Sequence, residues 1–482
     1  MYNAASLSEE VEAMAIILQP FLFRWDAVDA KSDLDRLNLV IKYLPDEDVI
    51  RELIKRRGNG RNDFPIRPMW NALLAAVVFQ HRSAASLIRE LTRNGELREI
   101  CGFDPLLGAA AVPDEHNMSR FVGNVVELEP RIHQMFDRLV DRATTLLPTL
   151  GQALAFDGKA LPSYSTGRKN RKSGQTSDPD AAHGVKTYQG VHEDGTPWQK
   201  LMHWFGYQLH LIVDSHHELP VAYEVMPANA SEVTRLLPMV EELAEKHPEL
   251  IARTEELAAD RGLDSAEVNR RLLQDHDIRP IIDNRALWRQ EKAEPGYDPR
   301  KPITRPLSPE RADTIVYTEK GDVLCVCPTT GETRDMAFMG YEKDRESVKY
   351  RCPAAAYGYG CAGRDECHAM APGHPGAFGR IVRVPLETDY RIFVPTPRSS
   401  PSFERAYNKR TAAERFNSRI DNVLGFEDHT IRGLQKMRAR MGLALVIALA
   451  LAVGHLMEGR PEQIRSLVGP MARARPALKR AA

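Results

Sequence analysis

Three acidic residues, Asp157, Asp260 and Glu414, stand where carboxylates could carry out metal-dependent chemistry. Asp157 ends an apolar segment in Phe-Asp-Gly-Lys, and Asp260 ends another in Ala-Asp-Arg-Gly. Because an isolated carboxylate is costly to bury, each aspartate needs water, a cation or a metal beside it. If the two segments are neighbouring strands, both carboxylates meet at one edge of a sheet.

Three carboxylates that converge on one place favour two divalent metal ions. Without cations between them they repel one another, and oxygen ligands with room for water and phosphate suit Mg²⁺ or Mn²⁺. Two such ions polarise an attacking water or hydroxyl and stabilise the leaving oxygen of a phosphodiester. Each aspartate alone is more often a turn or cap residue, so the prediction depends on all three acids together.

The segment that begins near Arg405 predicts the helix that carries Glu414. Tyr407, Arg410 and Glu414 are spaced at i, i+3 and i+7, so they share one face of this helix. The apolar stripe of the same helix lies on a different face and consists of Ala413, Phe416, Ile420 and Val423. Glu414 could therefore border a sheet while its helix packs against it.

Residues 151–284 predict the sheet that positions the two aspartates. Apolar runs and alternating apolar and polar residues predict strands at 153–157, 205–213, 219–225, 257–260 and 278–283. Helices are predicted at about 232–247 and 265–274. Three strands, helix, strand, helix, strand is the order of an α/β fold with an RNase H-like mixed sheet.

The rest of the chain divides by composition. Residues 1–150 predict a helical N-terminal domain, with Ser83 as a helix cap, and DNA binding and dimerisation or packing are equally good interpretations of it. Residues 285–395 predict a β-rich, Cys-containing insertion. Residues 396–457 predict closing helices, in which the apolar run 443–453 is shorter than a membrane span and favours a buried core helix. Residues 458–482 form a basic tail.

The net charge of −1 conceals a strong segregation of charge. Residues 1–50 hold four basic and ten acidic side chains, whereas residues 398–482 hold sixteen basic and seven acidic ones. The basic C-terminal part keeps DNA open as a partner. Six cysteines in 482 residues do not indicate a disulfide framework, and the acidic N-terminus lacks the basic residues of a signal peptide. We therefore expect a cytoplasmic protein.

Four segments make the sequence resemble bacterial insertion-sequence transposases of the DDE type. They are Phe156-Asp-Gly-Lys159, Gly206-Tyr-Gln-Leu-His-Leu211 with Pro227-Ala-Asn229, Ala259-Asp-Arg-Gly262 with Asp264-Ser265, and Tyr407-x2-Arg410-x3-Glu414. The region from Ser83 to Phe121 also resembles the helical N-terminal domain common in these proteins. The resemblance covers most of residues 66–456.

The resemblance implies an RNase H-like core with Asp157, Asp260 and Glu414 as the metal-binding catalytic triad. It implies an enzyme that cuts double-stranded DNA at the terminal inverted repeats of an element and joins the 3′-OH to target DNA. The subgroup to which the sequence is most similar carries a β-rich, cysteine-containing insertion before the last acid. We expect a homodimer on DNA and no membrane partner. Two positions depart from the family pattern: Asp421 replaces a frequent Lys, and Leu263 replaces a usual aromatic residue.

Basic residues on both sides of the triad are candidates for contacts with DNA phosphates. The predicted set is Lys159, Arg168, Lys169, Arg171 and Lys172 near the first strand, with Tyr407, Arg410, Arg415 and Arg419 around Glu414. Arg415 or Arg419 could supply the charge that Asp421 does not. For the loop residues 168–172, a solvated loop is an equally good interpretation.

Cysteines of the insertion are candidate ligands of a structural zinc ion: Cys327, Cys352, Cys361 and Cys367, with Cys325, His368 or His374 as substitutes. Their spacing lacks the paired Cys-x2-Cys segments that make a zinc prediction strong. Buried or reduced thiols without a metal are the alternative.

Two other functions remain open from the sequence. A silenced or domesticated transposase would only bind DNA, and another RNase H-like nuclease would cleave DNA without joining it. The presence of all three acids favours an enzyme, and the Tyr-x2-Arg-x3-Glu segment favours a transposase over another nuclease. Inverted repeats flanking the coding region would separate these interpretations.

Overall fold

The computed structural model describes residues 33–465 except 61, 171–173, 193–195, 286, 293, 296, 298–301, 309–313 and 371–375. In this part of the chain a helical N-terminal region leads into a mixed sheet, two small β-sheets follow, and helices close the fold. The predicted α/β fold with an RNase H-like sheet is confirmed.

The N-terminal region contains short amphipathic helices. They are α1 (Asp33–Tyr43), α2 (Glu47–Arg57), α3 (Ile66–Val78), α4 (Ala84–Arg93), α5 (Gly95–Cys101), α6 (Glu115–Val126) and α7 (Glu129–Leu146). Ser83 caps α4 as predicted, because its hydroxyl accepts a hydrogen bond from the backbone N–H of Ser86. The apolar faces of these helices share one continuous hydrophobic core with the mixed sheet.

The five predicted strands of the mixed sheet are present in the predicted order along the chain, together with one further strand. Its strands are β1 (Ala153–Pro162), β2 (Ala182–Val191), β3 (Pro197–Asp214), β4 (Leu219–Pro227), β5 (Glu256–Ala259) and β6 (Arg279–Ile282). The core of the sheet runs β4-β3-β1-β5-β6, with β1, β5 and β6 parallel and the other pairs antiparallel. Helices α8 (Glu232–Lys246) and α9 (Pro248–Ile251) connect β4 to β5, and α10 (Ala266–His276) connects β5 to β6.

One part of the sheet was not predicted. Strand β2 pairs with the first half of β3, residues 197–206, before β3 enters the core of the sheet. Large apolar side chains in this extension are exposed to solvent, among them Val185, Trp198 and Leu201. Most of the described side chains in this extension are exposed or half-buried, and its sequence lacks the alternation that identified the other strands.

The insertion consists of two small antiparallel sheets with a hydrophobic core of their own. Strands β7 (Thr304–Pro306), β8 (Ile315–Thr318), β9 (Val323–Val326) and β10 (Thr333–Asp335) form one sheet, and β11 (Ala337–Glu342), β12 (Ser347–Arg351) and β13 (Ile381–Pro385) form the other. Short helices α11 (Arg289–Lys292), α12 (Pro353–Tyr357) and α13 (Arg364–Met370) accompany them. The second core includes Val323, Val348, Val384 and Phe393.

The predicted helix around Glu414 is two helices, so the prediction of one continuous helix was wrong. Helix α14 (Pro401–Asn408) ends before Arg410, and α15 (Thr411–Asn422) carries Glu414. Between them the N–H groups of Lys409 and Arg410 bond to carbonyls three residues back, at 3.1 and 3.0 Å. These tight turns interrupt the α-helical pattern.

The last described helix, α16 (Leu434–Met457), connects the N-terminal helices to the sheet. By length and composition it could cross a membrane, yet most of it is buried inside the protein. It packs against α1, α7 and β4. A Cβ at Gly442 would lie 2.7 Å from the Tyr223 hydroxyl oxygen and 2.9 Å from Ile132, so the glycine allows this close approach. The apolar run at 443–453 is therefore a core helix, as its length predicted.

Candidate active site

Asp157 and Asp260 lie at the same level on adjacent parallel strands. Strands β1 and β5 pair from Ala153–Glu256 to Phe156–Ala259, and each aspartate follows the last pair by one residue. Neighbouring strands are about 4.8 Å apart. The condition that the sequence left open, that the two strands be neighbours, is met.

The carboxylate of Asp157 is held by a residue of α15. Asn417 Nδ2 donates a hydrogen bond of 2.9 Å to Asp157 Oδ2. Asn417 is buried, and its Oδ1 has no hydrogen-bond partner among the residues that the structure describes. Burial raises the pKa of the Asp157 carboxyl above its ordinary value, and the charge of Glu232 adds to this, whereas Lys186 and Arg410 oppose it.

Glu414 is one helical turn before Asn417 on α15 and is half exposed. Its Oε1 lies 2.6 Å from Arg410 Nη1. The charge of Arg410 also acts on Asp157 and on Asp260, so its guanidinium lies within electrostatic range of all three acids. Burial alone would lower the pKa of Arg410, but Glu414, Tyr407 and Asp260 raise it above its ordinary value.

The three acids do not form a closed metal cage in this conformation. Within the described part of the chain, no group of three or more His, Cys, Asp or Glu side chains is arranged to hold a metal ion. The chemistry of the donors nevertheless fits a hard divalent cation, because all three are carboxylates and the half-buried Asp157 lies near another carboxylate, Glu232. In this structure the cation paired with Glu414 is Arg410.

Other predicted DNA contacts are already paired with carboxylates. Lys159 Nζ lies 2.5 Å from Asp421 Oδ2, so the aspartate that departs from the family pattern neutralises the lysine near the first catalytic strand. Arg415 and Arg419 both form ion pairs with the buried Glu218 in the turn between β3 and β4. These three cations are therefore less available to phosphates than their sequence positions suggested.

The remaining predicted contacts differ in their exposure. Arg168 and Lys169 are exposed, whereas Arg171 and Lys172 lie outside the described residues. Tyr407 is half-buried and stacks on Phe403, with ring centroids 5.8 Å apart. The Arg410 guanidinium lies 5.5 Å from the centre of the Tyr407 ring, so the two remain neighbours despite the break between their helices.

Sequence reasoning did not identify Asn417 or the polar group that surrounds Gly158. Asn417 could have been found from its i, i+3 spacing after Glu414. Next to Asp157, a side chain at Gly158 would collide with the Glu232 carboxylate and with Gln208, whose Nε2 donates to Glu232 at 2.6 Å. No local pattern marked Glu232, which approaches Asp157 only because α8 begins beside β1.

An RNase H-like sheet with two aspartates at the ends of adjacent central strands, and a glutamate on a following helix, defines a nucleic-acid-processing class of protein. Residues 149–451 match the family described as "Transposase DDE domain", and residues 25–124 match a "Transposase domain (DUF772)". The chain belongs to the DDE transposase family, whose members cut and join DNA and generally use divalent metals.

A solved structure with a similar chain is the piggyBac transposase synaptic complex with hairpin DNA. Its chain is 10% identical in sequence to this one, with 92% of this chain and 80% of that chain covered and a TM-score of 0.35. This likeness is too low to match individual residues of the two chains. No curated protein matches the chain significantly.

Proposed function

We propose that the protein cuts double-stranded DNA at the terminal inverted repeats of a bacterial insertion sequence and joins the freed 3′-OH to target DNA. The observation that carries this proposal is the placement of Asp157 and Asp260 at one level of adjacent strands, beside the helix of Glu414. We place the reaction in the bacterial cytoplasm and on a homodimer.

In this proposal Asp157, Asp260 and Glu414 hold two divalent ions, Mg²⁺ or Mn²⁺. Ions bound there would activate the attacking water or hydroxyl and stabilise the leaving oxygen. Asn417 keeps the Asp157 carboxylate oriented toward the site. Arg410 balances the negative charge of Glu414 until metal and DNA arrive, and it then binds a phosphate close to the scissile bond.

Two features support a phosphate-binding role for Arg410. Its buried Nε has no hydrogen-bond partner in the described part of the chain, so one donor of the guanidinium is left for a ligand. Its present partner, Glu414, is half exposed, and such ion pairs are weak, so the pair can exchange for a phosphate. The ring of Tyr407 lies 5.5 Å from the guanidinium, close enough for a cation–π contact.

Arg410→Ala is expected to weaken binding to element-end DNA and to reduce the slope of log K against log salt concentration by about 0.9, the value for one lost phosphate contact. Fluorescence anisotropy across a salt series measures both quantities. Arg405→Ala, which removes an exposed arginine on α14, is the matched control and should leave the slope nearly unchanged. Unchanged binding of Arg410→Ala at every salt concentration would make Arg410 only the ion-pair partner of Glu414.

The function itself is tested with purified protein, Mg²⁺ and a DNA duplex that carries the end of the element next to the coding region. We expect nicking at the element end. With a second duplex present as target DNA, we also expect joined products. Cleavage without joined products would favour another RNase H-like nuclease. Binding without cleavage would favour a silenced transposase that acts as a DNA-binding protein.

A further inference from the structure

Five cysteines of the insertion line one cavity of about 290 Å³. They come from separate segments: Cys325 from β9, Cys327 from the turn after it, Cys352 from the residue before α12, Cys361 from the following loop and Cys367 from α13. The sixth cysteine, Cys101, is buried in α5 of the N-terminal region. The fold of the insertion thus gathers thiols that are up to 42 positions apart in sequence.

The thiols of Cys327 and Cys361 respond differently to their surroundings. The donor groups of Thr330, Thr329 and Gly363 lower the pKa of the Cys327 thiol to about 7, whereas burial raises the pKa of the Cys361 thiol above its ordinary value. Cys327 also acts on the thiol of Cys361, so the two cysteines are neighbours in the cavity. The thiolate is the form that binds a metal.

Two glycines let the chain pass close to these sulfurs. A Cβ at Gly363 would lie 2.9 Å from Cys327 Sγ, and a Cβ at Gly379 would lie 3.3 Å from Cys352 Sγ. Gly379 also has a φ of +69°, which favours glycine. The buried Arg380 follows it, with Nη1 3.9 Å from Cys367 Sγ. A buried guanidinium at this place offsets the negative charge of thiolates.

We propose that Cys327, Cys352, Cys361 and Cys367 bind one structural zinc ion that holds the two small sheets of the insertion together. Zinc in structural sites takes four thiolate or imidazole ligands in a tetrahedron. Cys325 is not among the ligands, because its side chain packs against the hydrophobic core of the insertion. His368 also lines the cavity, and His374 lies outside the described residues.

A zinc ion would stabilise the fold of the insertion. Most strands of the insertion are only three to five residues long, and its core is small. In the conformation described, no three of the described sulfurs close around one point, so an ion would draw the segments of Cys327, Cys352, Cys361 and Cys367 together. The free energy of zinc binding is then folding free energy of the insertion. The site serves the structure of the insertion and not the chemistry of the DNA reaction.

The test is metal analysis of the full chain purified without chelator. We expect about one equivalent of zinc per chain, and after exchange with Co²⁺ the absorption bands of a tetrahedral Co²⁺–thiolate complex. Cys327→Ser and Cys361→Ser should lose the metal. Cys325→Ser, two residues from a ligand and in the same cavity, should retain it, as should Cys101→Ser in the N-terminal region.

A chelator supplies a readout that does not depend on the folding of a variant. Removing the ion from the unsubstituted protein should expose residues 304–385 to limited proteolysis, and added Zn²⁺ should restore protection. Less than about half an equivalent of zinc per chain, with all five thiols of the insertion reactive in the folded protein, would overturn the proposal. A disulfide between any of the four proposed ligands would overturn it as well.

Discussion

Asp157→Asn, Asp260→Asn and Glu414→Gln are each expected to slow DNA cleavage and joining by about a thousandfold or more, which corresponds to roughly 4 kcal/mol of transition-state stabilisation. Each substitution keeps the size of the side chain and removes the negative charge that a divalent ion needs. Cleavage is measured as nicking of a labelled element end in Mg²⁺, and joining is measured separately with a pre-cleaved end. Both steps should fail together, because one pair of ions serves both.

The three variants should fold and bind DNA nearly as the unsubstituted protein does. For Asp157→Asn this follows from burial, which already disfavours the charged carboxylate and raises its pKa. A neutral amide at this position relieves that cost, so the melting temperature should not fall. The matched control is Glu404→Gln, an exposed acid on α14 whose substitution should leave both rates close to normal. If a Glu414→Gln protein nicks DNA at a near-normal rate, Glu414 is not part of the catalytic site.

Asp214→Ala is expected to destabilise the fold by about 3–5 kcal/mol. The Asp214 carboxylate is fully buried at the end of β3 and accepts four hydrogen bonds. The donors are the N–H groups of Gly151 (2.8 Å), His216 (3.1 Å) and His217 (2.6 Å), and His217 Nδ1 at 2.8 Å. Alanine would leave these donors without an acceptor. Those of Gly151 and His217 are buried, and each unpaired buried donor costs about 1–3 kcal/mol.

Thermal unfolding monitored by circular dichroism measures this effect, and the loss should lower the melting temperature of the sheet by roughly 10 °C. Asp214→Asn keeps one acceptor oxygen and should lose less. Asp344→Ala, which removes an exposed carboxylate in the insertion, should change the stability by less than about 0.5 kcal/mol. A melting temperature of Asp214→Ala equal to that of Asp344→Ala would show that the network around Asp214 contributes little to the fold.

The sequence by itself determined the core strands of the sheet and two members of the candidate site. Phe156 and Asp157, like Ala259 and Asp260, belong to short apolar runs that end in a carboxylate, and such runs form central strands whatever lies elsewhere in the chain. The order of strands and helices then left few topologies, because parallel strands joined by a helix follow one handedness. The eleven apolar residues at 443–453 predicted a buried helix for the same local reason.

The tertiary structure alone decided which charges meet. The sequence suggested that three basic residues near the site were free to bind phosphates: Arg415, Arg419 and Lys159. In the structure Glu218 pairs with both arginines and Asp421 pairs with the lysine, and these partners come from distant positions in the chain. Asn417 reaches Asp157 across 260 positions in the same way. Such pairs depend on how α15 crosses the sheet, and no periodicity of the local sequence encodes that packing.

The tertiary structure also decided which cysteines lie together and where the helical segment before Glu414 is interrupted. Cys327 and Cys361 lie in segments with no regular spacing, and they approach each other only because the two small sheets fold toward one cavity. The segment from Tyr407 to Glu414 has helical spacing, yet the chain turns tightly at Arg410, whose guanidinium pairs with Glu414. Local spacing specifies secondary structure and candidate ligands, whereas contacts between distant segments determine which side chains surround a charge.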